Sequence, residues 1–214
     1  MTDILGMIDG DAEKTPRESL RIFLVAGEAS GDLLGANLMR ALKSARPDVE
    51  FFGVGGRNMQ QQGMESLFPM EELSVMGLAE VLPRIFKIMS RIRQTRKAIL
   101  KVKPHAVITI DSPDFCFRVI KKLKRRTRDI PCIHYVAPSV WAWRPKRAET
   151  VAKFLDHILT LLPFEPPYFT RHGLPATFVG HPVVEKIDSR GDGGRFREKY
   201  GLKSNQPVFC MLPG

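Results

Sequence analysis

The sequence predicts an α/β protein with a doubly wound, parallel sheet, and two observations carry this prediction. Strand-like and helical segments alternate along the chain, and several strands are continuous apolar runs, as a parallel sheet buried on both faces requires. In addition, the apolar segment Arg21–Ala26 leads into a turn of small residues and then into a helix. Doubly wound domains begin in this way and bind ligands at the carboxyl ends of their strands.

Seven segments are predicted as strands and six as helices. The strands are 21–26, 50–54, 105–111, 131–136, 157–162, 176–180 and 207–212. The helices are 32–44, 78–101, 114–126, 146–154, 166–172 and 194–200.

The 214 residues, of which 43% are hydrophobic, suffice for one sizeable core and the start of another. Residues 1–20 are rich in acids and lack the basic region and apolar run of a signal peptide, so they are interpreted as a disordered tail instead of a signal peptide. Residues 21–182 are predicted to form the main domain and 183–194 a linker rich in Asp, Ser and Gly. Residues 195–214 are expected to be the truncated start of a second α/β domain.

The composition excludes several classes of protein. No apolar run approaches the roughly 18 residues that a membrane span needs. The three cysteines lie in or beside apolar segments, which indicates buried thiols in a reducing cytosol. Neither the cysteines nor the five scattered histidines have metal-ligand spacing, so no metal site is expected. The glycine-rich segment 53–63 does not match the dinucleotide-binding pattern.

The net charge of +10 is concentrated in one segment. Residues 84–128 contain fifteen Lys and Arg residues and two acids, an excess of +13 that leaves the rest of the chain slightly acidic. A one-sided basic surface indicates an anionic partner: nucleic acid, a phosphorylated small molecule or an anionic membrane. Nucleic acid is not expected, because basic charge alone is not specific to it.

Acidic residues follow two of the predicted strands. Glu28 and Asp32 lie in the turn after the first strand, and Asp111 ends the strand 105–111. Because parallel strands end at one edge of a sheet, these acids are expected to form one site, with Asp111 as a general base. A helix N-cap is an equal alternative for Asp32 and the favoured role of Asp114.

A third strand end, residues 133–147, is rich in aromatic and basic side chains. It contains His134, Tyr135, Trp141, Trp143 and Arg144. Aromatic rings stack on sugars, and arginine binds phosphate, although a packed aromatic corner would give the same composition. Another polar residue, a histidine at position 181, follows the strand 176–180 and is more often structural than catalytic.

Residues 78–96 have the spacing of a basic amphipathic helix. Such an apolar stripe usually packs in a core. Phe86 lies off the stripe, however, so an interfacial segment that holds acyl chains or contacts a membrane remains an alternative. The residues assigned to this apolar surface are Val75, Met76, Val81, Leu82, Ile85, Phe86 and Met89.

Seven sequence blocks, in order, resemble the lipid-A-disaccharide synthase family of GT-B glycosyltransferases. They are LVAGEASGD, FFGVGG, EELSVMGLAEVLPR, ITIDSPDF, IHYVAPSVWAWRPKR, LPFEPPYF and FVGHP, which together cover residues 21–182. The final residues, FCMLPG, resemble the start of the family's LLPGSR segment, without its Ser and Arg.

The resemblance implies the N-terminal, acceptor-binding half of an enzyme with two Rossmann-like domains. Such enzymes join UDP-2,3-diacylglucosamine to 2,3-diacylglucosamine 1-phosphate (lipid X), releasing UDP, at the cytoplasmic face of the inner membrane of Gram-negative bacteria. No cofactor is implied. The expected partners are the two substrates and the anionic inner-membrane surface, and a homo-oligomer is also considered.

The resemblance also implies roles for individual residues. Asp111 would deprotonate the acceptor 6-hydroxyl, while Glu28 and Asp32 would orient the acceptor or supply an alternative base. Because most of the nucleotide-binding domain is missing, the 214-residue chain alone is expected to have little or no transferase activity. A non-catalytic acyl-sugar or membrane-binding half-domain, or another GT-B UDP-sugar enzyme, would be the alternative. The residues expected to bind substrate are Gly27, Ser30, Gly31, His134, Tyr135, Trp141, Arg144 and His181, with Lys146 near phosphate.

Overall fold

A computed structural model describes residues 19–73, 81–182 and 191–211; of residues 81–84 it describes the backbone only. The chain consists of two compact units, Met1–Gly180 and His181–Gly214. Most of the predicted tail, at 1–18, and most of the predicted linker, at 183–190, lie outside the described residues.

The first unit contains a six-stranded parallel sheet. Its strands run in the order β2-β1-β3-β4-β5-β6. The predicted α/β class and the first six predicted strands are therefore confirmed. The strands are β1 (Arg21–Ala26), β2 (Glu50–Val54), β3 (Ala106–Ile110), β4 (Cys132–Tyr135), β5 (His157–Thr160) and β6 (Ala176–Phe178).

All six predicted helices form, with shifts of a few residues at their ends. Two further elements were not predicted, α2 and a short 3₁₀ helix at Met70–Leu73. The helices are α1 (Ala29–Ala45), α2 (Arg57–Gln61), α3 (Val81–Val102), α4 (Pro113–Lys124), α5 (Lys146–Ala152), α6 (Pro166–Thr170) and α7 (Gly193–Lys199).

Apolar side chains cover both faces of the sheet. Along β1, Phe23 and Val25 belong to a core cluster with residues of α3, α4 and α5, whereas Leu24 belongs to a second cluster with residues of α1. This alternation follows from the two-residue period of a strand. The winding direction reverses between β1 and β3, because β2 lies on one side of β1 and all later strands lie on the other.

The second unit contains α7 and an irregular segment after it. The side chain of Asp192 accepts the backbone N–H of Arg195 at 2.9 Å and so caps α7. The predicted strand 207–212 is wrong for residues 207–211, where no strand forms. Strands need a paired neighbour, and among the described residues none pairs with this segment, so Phe209 is 95% exposed. Cys210 is also exposed, although it was expected to be buried like Cys116 and Cys132.

Candidate active site

The strand order places the candidate site at the point where winding reverses. β1 pairs with β3, and the last residues of these strands, Ala26 and Ile110, lie opposite each other. The loops that follow, residues 27–28 and 111–112, therefore begin side by side. In doubly wound sheets this switch point is where ligands bind.

Two glycines allow these loops to approach each other closely. A Cβ atom on Gly27 would lie 2.5 Å from the Oγ of Ser112, and one on Gly31 would lie 3.0 Å from the carbonyl oxygen of Ile110. Any larger side chain would push the loops apart. Gly27 thus allows the two loops to meet, and Gly31 lets α1 approach the end of β3, while the contact of both glycines with a ligand stays a prediction.

Two serines hold the two acids of the site. The Oγ of Ser30 donates to Asp111 Oδ2 at 2.7 Å, and the Oγ of Ser112 donates to Glu28 Oε1 at 2.9 Å. The backbone N–H of Ser112 donates to the other oxygen of Asp111 at 2.9 Å. Within the described part of the chain, neither carboxylate has an ion pair. The structure therefore brings together Glu28, Ser30 and Asp111, which were predicted, and adds Ser112, which was not.

The backbone of the second loop is strained. Asp111 and Ser112 have φ angles of +53° and +43°, in the left-handed region that residues other than glycine rarely adopt. Each such residue costs on the order of 1–3 kcal/mol, and this strain concentrates at functional sites. The hydrogen bonds from the two serines oppose relaxation of the loop and fix the direction of the Asp111 carboxylate.

Asp32 differs from Glu28 and Asp111, because it is buried and binds the backbone of another element. It is 3% exposed, and its carboxylate accepts the backbone N–H groups of Gly56, Asn58 and Met59 at 2.8–3.1 Å. It also accepts the side-chain amide of Asn58 at 2.8 Å. The expectation that Asp32 caps its own helix is wrong: α1 begins three residues earlier, and Asp32 instead satisfies the amino end of α2.

A cavity of about 640 Å³ joins Glu28 to apolar side chains, and we call it the α3–α4 groove. Glu28 and Ser112 line its polar end, but Asp111 is not among its lining residues. Arg91 Nε donates to Glu72 Oε2 at 2.6 Å, lowers the pKa of that carboxyl, and holds the neighbouring 3₁₀ helix against α3. The remaining walls are formed by Leu73, Ile85, Ile88, Met89, Pro113, Asp114, Phe115 and Arg118.

Helix α3 is partly a core helix and partly a surface helix. Ile92 and Ile99 are fully buried, whereas Ile85 is 48% exposed and Phe86 is 77% exposed. Met89 is half-buried beside the groove. The core alternative is thus confirmed for the turns that carry Ile92 and Ile99, while contact of the exposed turn with acyl chains or a membrane stays a prediction. Of the other residues assigned to this surface, Val75 and Met76 lie outside the described residues, as do the side chains of Val81 and Leu82.

The aromatic segment after β4 is partly exposed at the surface. Trp141 is 44% exposed, packs edge-on against Phe164 at 5.3 Å between ring centroids, and donates to Glu165 at 3.3 Å. Arg144 lies over the Trp143 ring at 4.2 Å. Both the packed corner and an accessible stacking surface are therefore present.

His134 is not on the surface of the site, which corrects the expectation that it lines the cleft. It is fully buried, its Nδ1 is 2.8 Å from the Oγ of Thr109, and its ring packs edge-on against Phe117. Burial and the nearby charge of Arg147 lower the pKa of His134 to about 3, so the ring is neutral. The next residue, Tyr135, is half-buried in the apolar cluster beside α1.

Three further predicted positions are Asp114, His181 and Lys146. Asp114 does not cap α4: Ser112 occupies the N-cap position, and the Asp114 carboxylate accepts from Arg147 at 3.1 Å. His181 is exposed and belongs to the second unit. Lys146 begins α5 at the surface. Among the residues that the structure describes, no group of His, Cys, Asp and Glu could hold a metal ion.

The groove-lining residues that sequence reasoning missed come from α4, from the loop before it and from the 3₁₀ helix, which contributes Leu73. Ser112 could have been found, because it directly follows the candidate base at a strand end. Phe115 and Arg118 carry no such signal, since their role depends on how α4 packs beside α3.

The parallel sheet and the two acids at its switch point define a doubly wound α/β domain with a ligand-binding edge. A family model described as lipid-A-disaccharide synthetase matches residues 22–214. The chain belongs to this family.

Relatives named lipid-A-disaccharide synthase support this membership. The chain is 59% identical to the one from Rhodospirillum centenum over 196 residues, covering 91% of this chain and 49% of the relative. It is 49% identical to the one from Pseudomonas syringae pv. tomato, covering 91% and 51%. The chain thus spans about half the length of the curated relatives it matches.

Solved structures agree on the fold. A UDP-N-acetylglucosamine 2-epimerase from Rickettsia bellii matches with a TM-score of 0.55 at 16% identity, covering 87% of this chain and 52% of that one. S. aureus MnaA, in a co-structure with UDP, matches with a TM-score of 0.58 at 14% identity, covering 85% and 51%.

Proposed function

We propose that this chain is the acceptor-binding half of a lipid-A-disaccharide synthase. The reaction would transfer 2,3-diacylglucosamine from its UDP derivative to the 6-hydroxyl of lipid X, giving lipid A disaccharide 1-phosphate and UDP. One observation carries the proposal beyond family membership: the α3–α4 groove connects a carboxylate, Glu28, to an apolar wall that includes Ile88 and Met89. An acylated sugar needs this combination, with polar groups at the ring and apolar surface for its chains.

In the proposed mechanism, Asp111 is the general base. Its carboxylate would take the proton of the acceptor 6-hydroxyl as that oxygen attacks the anomeric carbon of the donor. The bond from the anomeric carbon to UDP breaks, UDP leaves, and one displacement inverts the configuration. Ser30 would orient Asp111, and Glu28 would bind the acceptor, since Glu28 lines the polar end of the groove and Asp111 does not.

The UDP-sugar would bind mainly outside this chain. The relatives are about twice as long, and the S. aureus structural neighbour binds UDP. Trp141 and Arg144, which belong to the segment after β4, would contact the sugar and phosphate of the donor. Little or no transfer is therefore expected from the 214-residue chain by itself.

The exposed turn of α3 would contact a membrane. Ile85 and Phe86 project apolar area into solvent, on a segment rich in Lys and Arg. Basic residues near an anionic bilayer contribute about 1 kcal/mol each to binding. Within the described residues, no helix is both long and apolar enough to cross a membrane. We propose peripheral attachment to the cytoplasmic face of the inner membrane.

A UDP-release assay with both acylated substrates tests this function. The samples are the 214-residue chain and a version extended with the C-terminal half of a relative. Activity only in the extended version supports the proposal. Activity in neither, with lipid X still bound, would favour a non-catalytic acyl-sugar-binding module. Activity in the chain alone would show that the nucleotide site has been placed wrongly.

A further inference from the structure

A second groove lies on the other side of α4, between α4 and α5. It encloses about 270 Å³, and we call it the α4–α5 groove. Its charged lining consists of the cations Arg118, Lys121 and Arg147 and a single carboxylate, Asp114. Three cations against one acid leave an excess positive charge in a space that suits a compact anion.

Aromatic rings hold two of these cations in place. The Nζ of Lys121 lies 4.9 Å from the centre of the Phe154 ring, and the Cζ of Arg147 lies 5.4 Å from that of Phe117. A ring face orients a cation without neutralising it. These side chains are therefore positioned in advance while their charge stays available to a ligand.

Carboxylates compensate this charge only weakly. Arg118 and Lys121 have no ion pair within the described part of the chain. Arg147 has one, with Asp114 at 3.1 Å, but the Asp114 side chain is 89% exposed. An ion pair with so exposed a partner contributes little free energy, because solvent screens it. An incoming anion can therefore compete with Asp114 for Arg147.

The position of this groove relates it to the α3–α4 groove. Both are lined by Pro113, Asp114 and Arg118 at the start of α4. A ligand in the α3–α4 groove therefore lies one helix away from the three cations. An anionic substituent on such a ligand could reach them across the amino end of α4.

We propose that the α4–α5 groove is a phosphate subsite, in which Arg118, Lys121 and Arg147 bind the phosphate oxygens. Arginine provides paired N–H donors that match two phosphate oxygens, and lysine adds a compact charge. Assigning this phosphate to the acceptor's 1-phosphate rests on the proposed function. The headgroup of an anionic phospholipid presents the same chemistry.

The test measures binding to the 214-residue chain and to two variants. In the first, Arg118→Gln and Lys121→Gln remove two charges from the groove. In the control, Lys122→Gln and Arg125→Gln remove two charges from the carboxyl end of the same helix, outside the groove. The ligands are a soluble dihexanoyl analogue of lipid X, the same analogue without its 1-phosphate, and vesicles of phosphatidylglycerol or phosphatidylcholine. Thermal unfolding checks that each variant is folded, as expected because Arg118 and Lys121 are exposed.

The groove variant should bind the phosphorylated analogue about tenfold more weakly and the unphosphorylated analogue unchanged, because charged hydrogen bonds are lost only to phosphate. The control should match the unaltered chain. A loss confined to phosphatidylglycerol vesicles and exceeding the control's would support the subsite and identify a lipid headgroup as the source. Losses no larger than the control's in both arms would overturn the proposal. If the unaltered chain bound neither analogue, the proposed function would fail, and the vesicle arm would still test the subsite.

Discussion

Helix α4 separates two grooves that differ in charge and in polarity. In the α3–α4 groove, Glu28 and Ser112 adjoin apolar side chains such as Ile88 and Met89. In the α4–α5 groove, Lys121 and Arg147 lie over aromatic rings. The first groove suits a sugar hydroxyl and acyl chains, and the second suits an anion. The two sides of α4 can thus bind chemically different parts of a single ligand.

The largest effect should come from the base beside the first groove. In the extended enzyme, Asp111→Asn should lower kcat by about 10²–10⁴-fold, the usual contribution of a general base. Asp129→Asn is the matched control, since Asp129 is exposed just before β4 at the opposite edge of the sheet. Turnover measured from UDP release across pH checks this.

The variant Glu28→Gln distinguishes the role of Glu28 from that of Asp111 in the same assay. If Glu28 binds the acceptor, this variant should raise KM more than it lowers kcat. Near-normal turnover of Asp111→Asn with an unaltered pH profile, together with a large loss of kcat in Glu28→Gln, would transfer the base role to Glu28.

The apolar wall of the first groove should be the next most sensitive feature. Met89→Glu places a carboxylate against the expected acyl chains and should weaken binding of the dihexanoyl analogue by about 10–100-fold. Ser90→Glu adds the same charge at the next, exposed position of α3 and should leave affinity unchanged. Titration calorimetry of both variants checks this, and equal losses would indicate a general charge effect instead of a specific wall.

Asp32 should affect stability more than chemistry. Asp32→Asn keeps the size of the side chain but replaces one acceptor oxygen with a donor facing the N–H groups of α2. We expect the free energy of unfolding to fall by about 1–3 kcal/mol, as for a buried, unsatisfied polar group. Urea unfolding, with Asp129→Asn as the exposed control, measures it. An unchanged midpoint would mean that α2 does not depend on Asp32.

A smaller, pH-dependent effect is expected from His134, which lies beneath Phe117 of the second groove. Its pKa is about 3 in the folded chain and near 6.5 when unfolded, so the unfolded state binds the extra proton. The contribution of neutral His134 to the free energy of unfolding is therefore complete above pH 6.5. It decreases as the pH falls below 6.5, by at most about 1.4 kcal/mol per pH unit.

This slope can be isolated with His134→Gln, which removes the titrating group. Urea unfolding measures the free energy of unfolding at pH 7 and at pH 5. Between these two pH values it should fall further in the unaltered chain than in the variant, by about 1–2 kcal/mol. Equal losses in the two proteins would show that His134 can be protonated without unfolding.

The elements that local sequence determines were predicted well. The apolar runs correspond to the six strands, and the ends of two of those runs correctly locate Glu28 and Asp111 at one edge of the sheet. The alternation within β4 was a missed signal: Cys132 and His134 share one face of that strand, and both are buried. A two-residue period would have placed His134 in the core.

Other features depend on contacts that no local pattern encodes. Helix α2 is five residues long without apolar periodicity, and the distant side chain of Asp32 satisfies its amino end. Both grooves arise from the packing of α3 and α5 against α4. The sequence does not distinguish Arg118 from the many basic residues around it. Only the fold shows that Arg118 lies between the two grooves.

The most direct test of the acceptor site is the affinity of the 214-residue chain for the dihexanoyl analogue of lipid X and for glucosamine 1-phosphate, which lacks acyl chains. Burial of the chains against α3 and Phe115 should make the acylated ligand bind about 100-fold or more tightly than the other, at about 0.8 kcal/mol per buried methylene. NMR shifts at Ile88 and Met89 should appear with the acylated ligand only. Equal affinities, with no shifts at these residues, would contradict the assignment of the α3–α4 groove as the acceptor site.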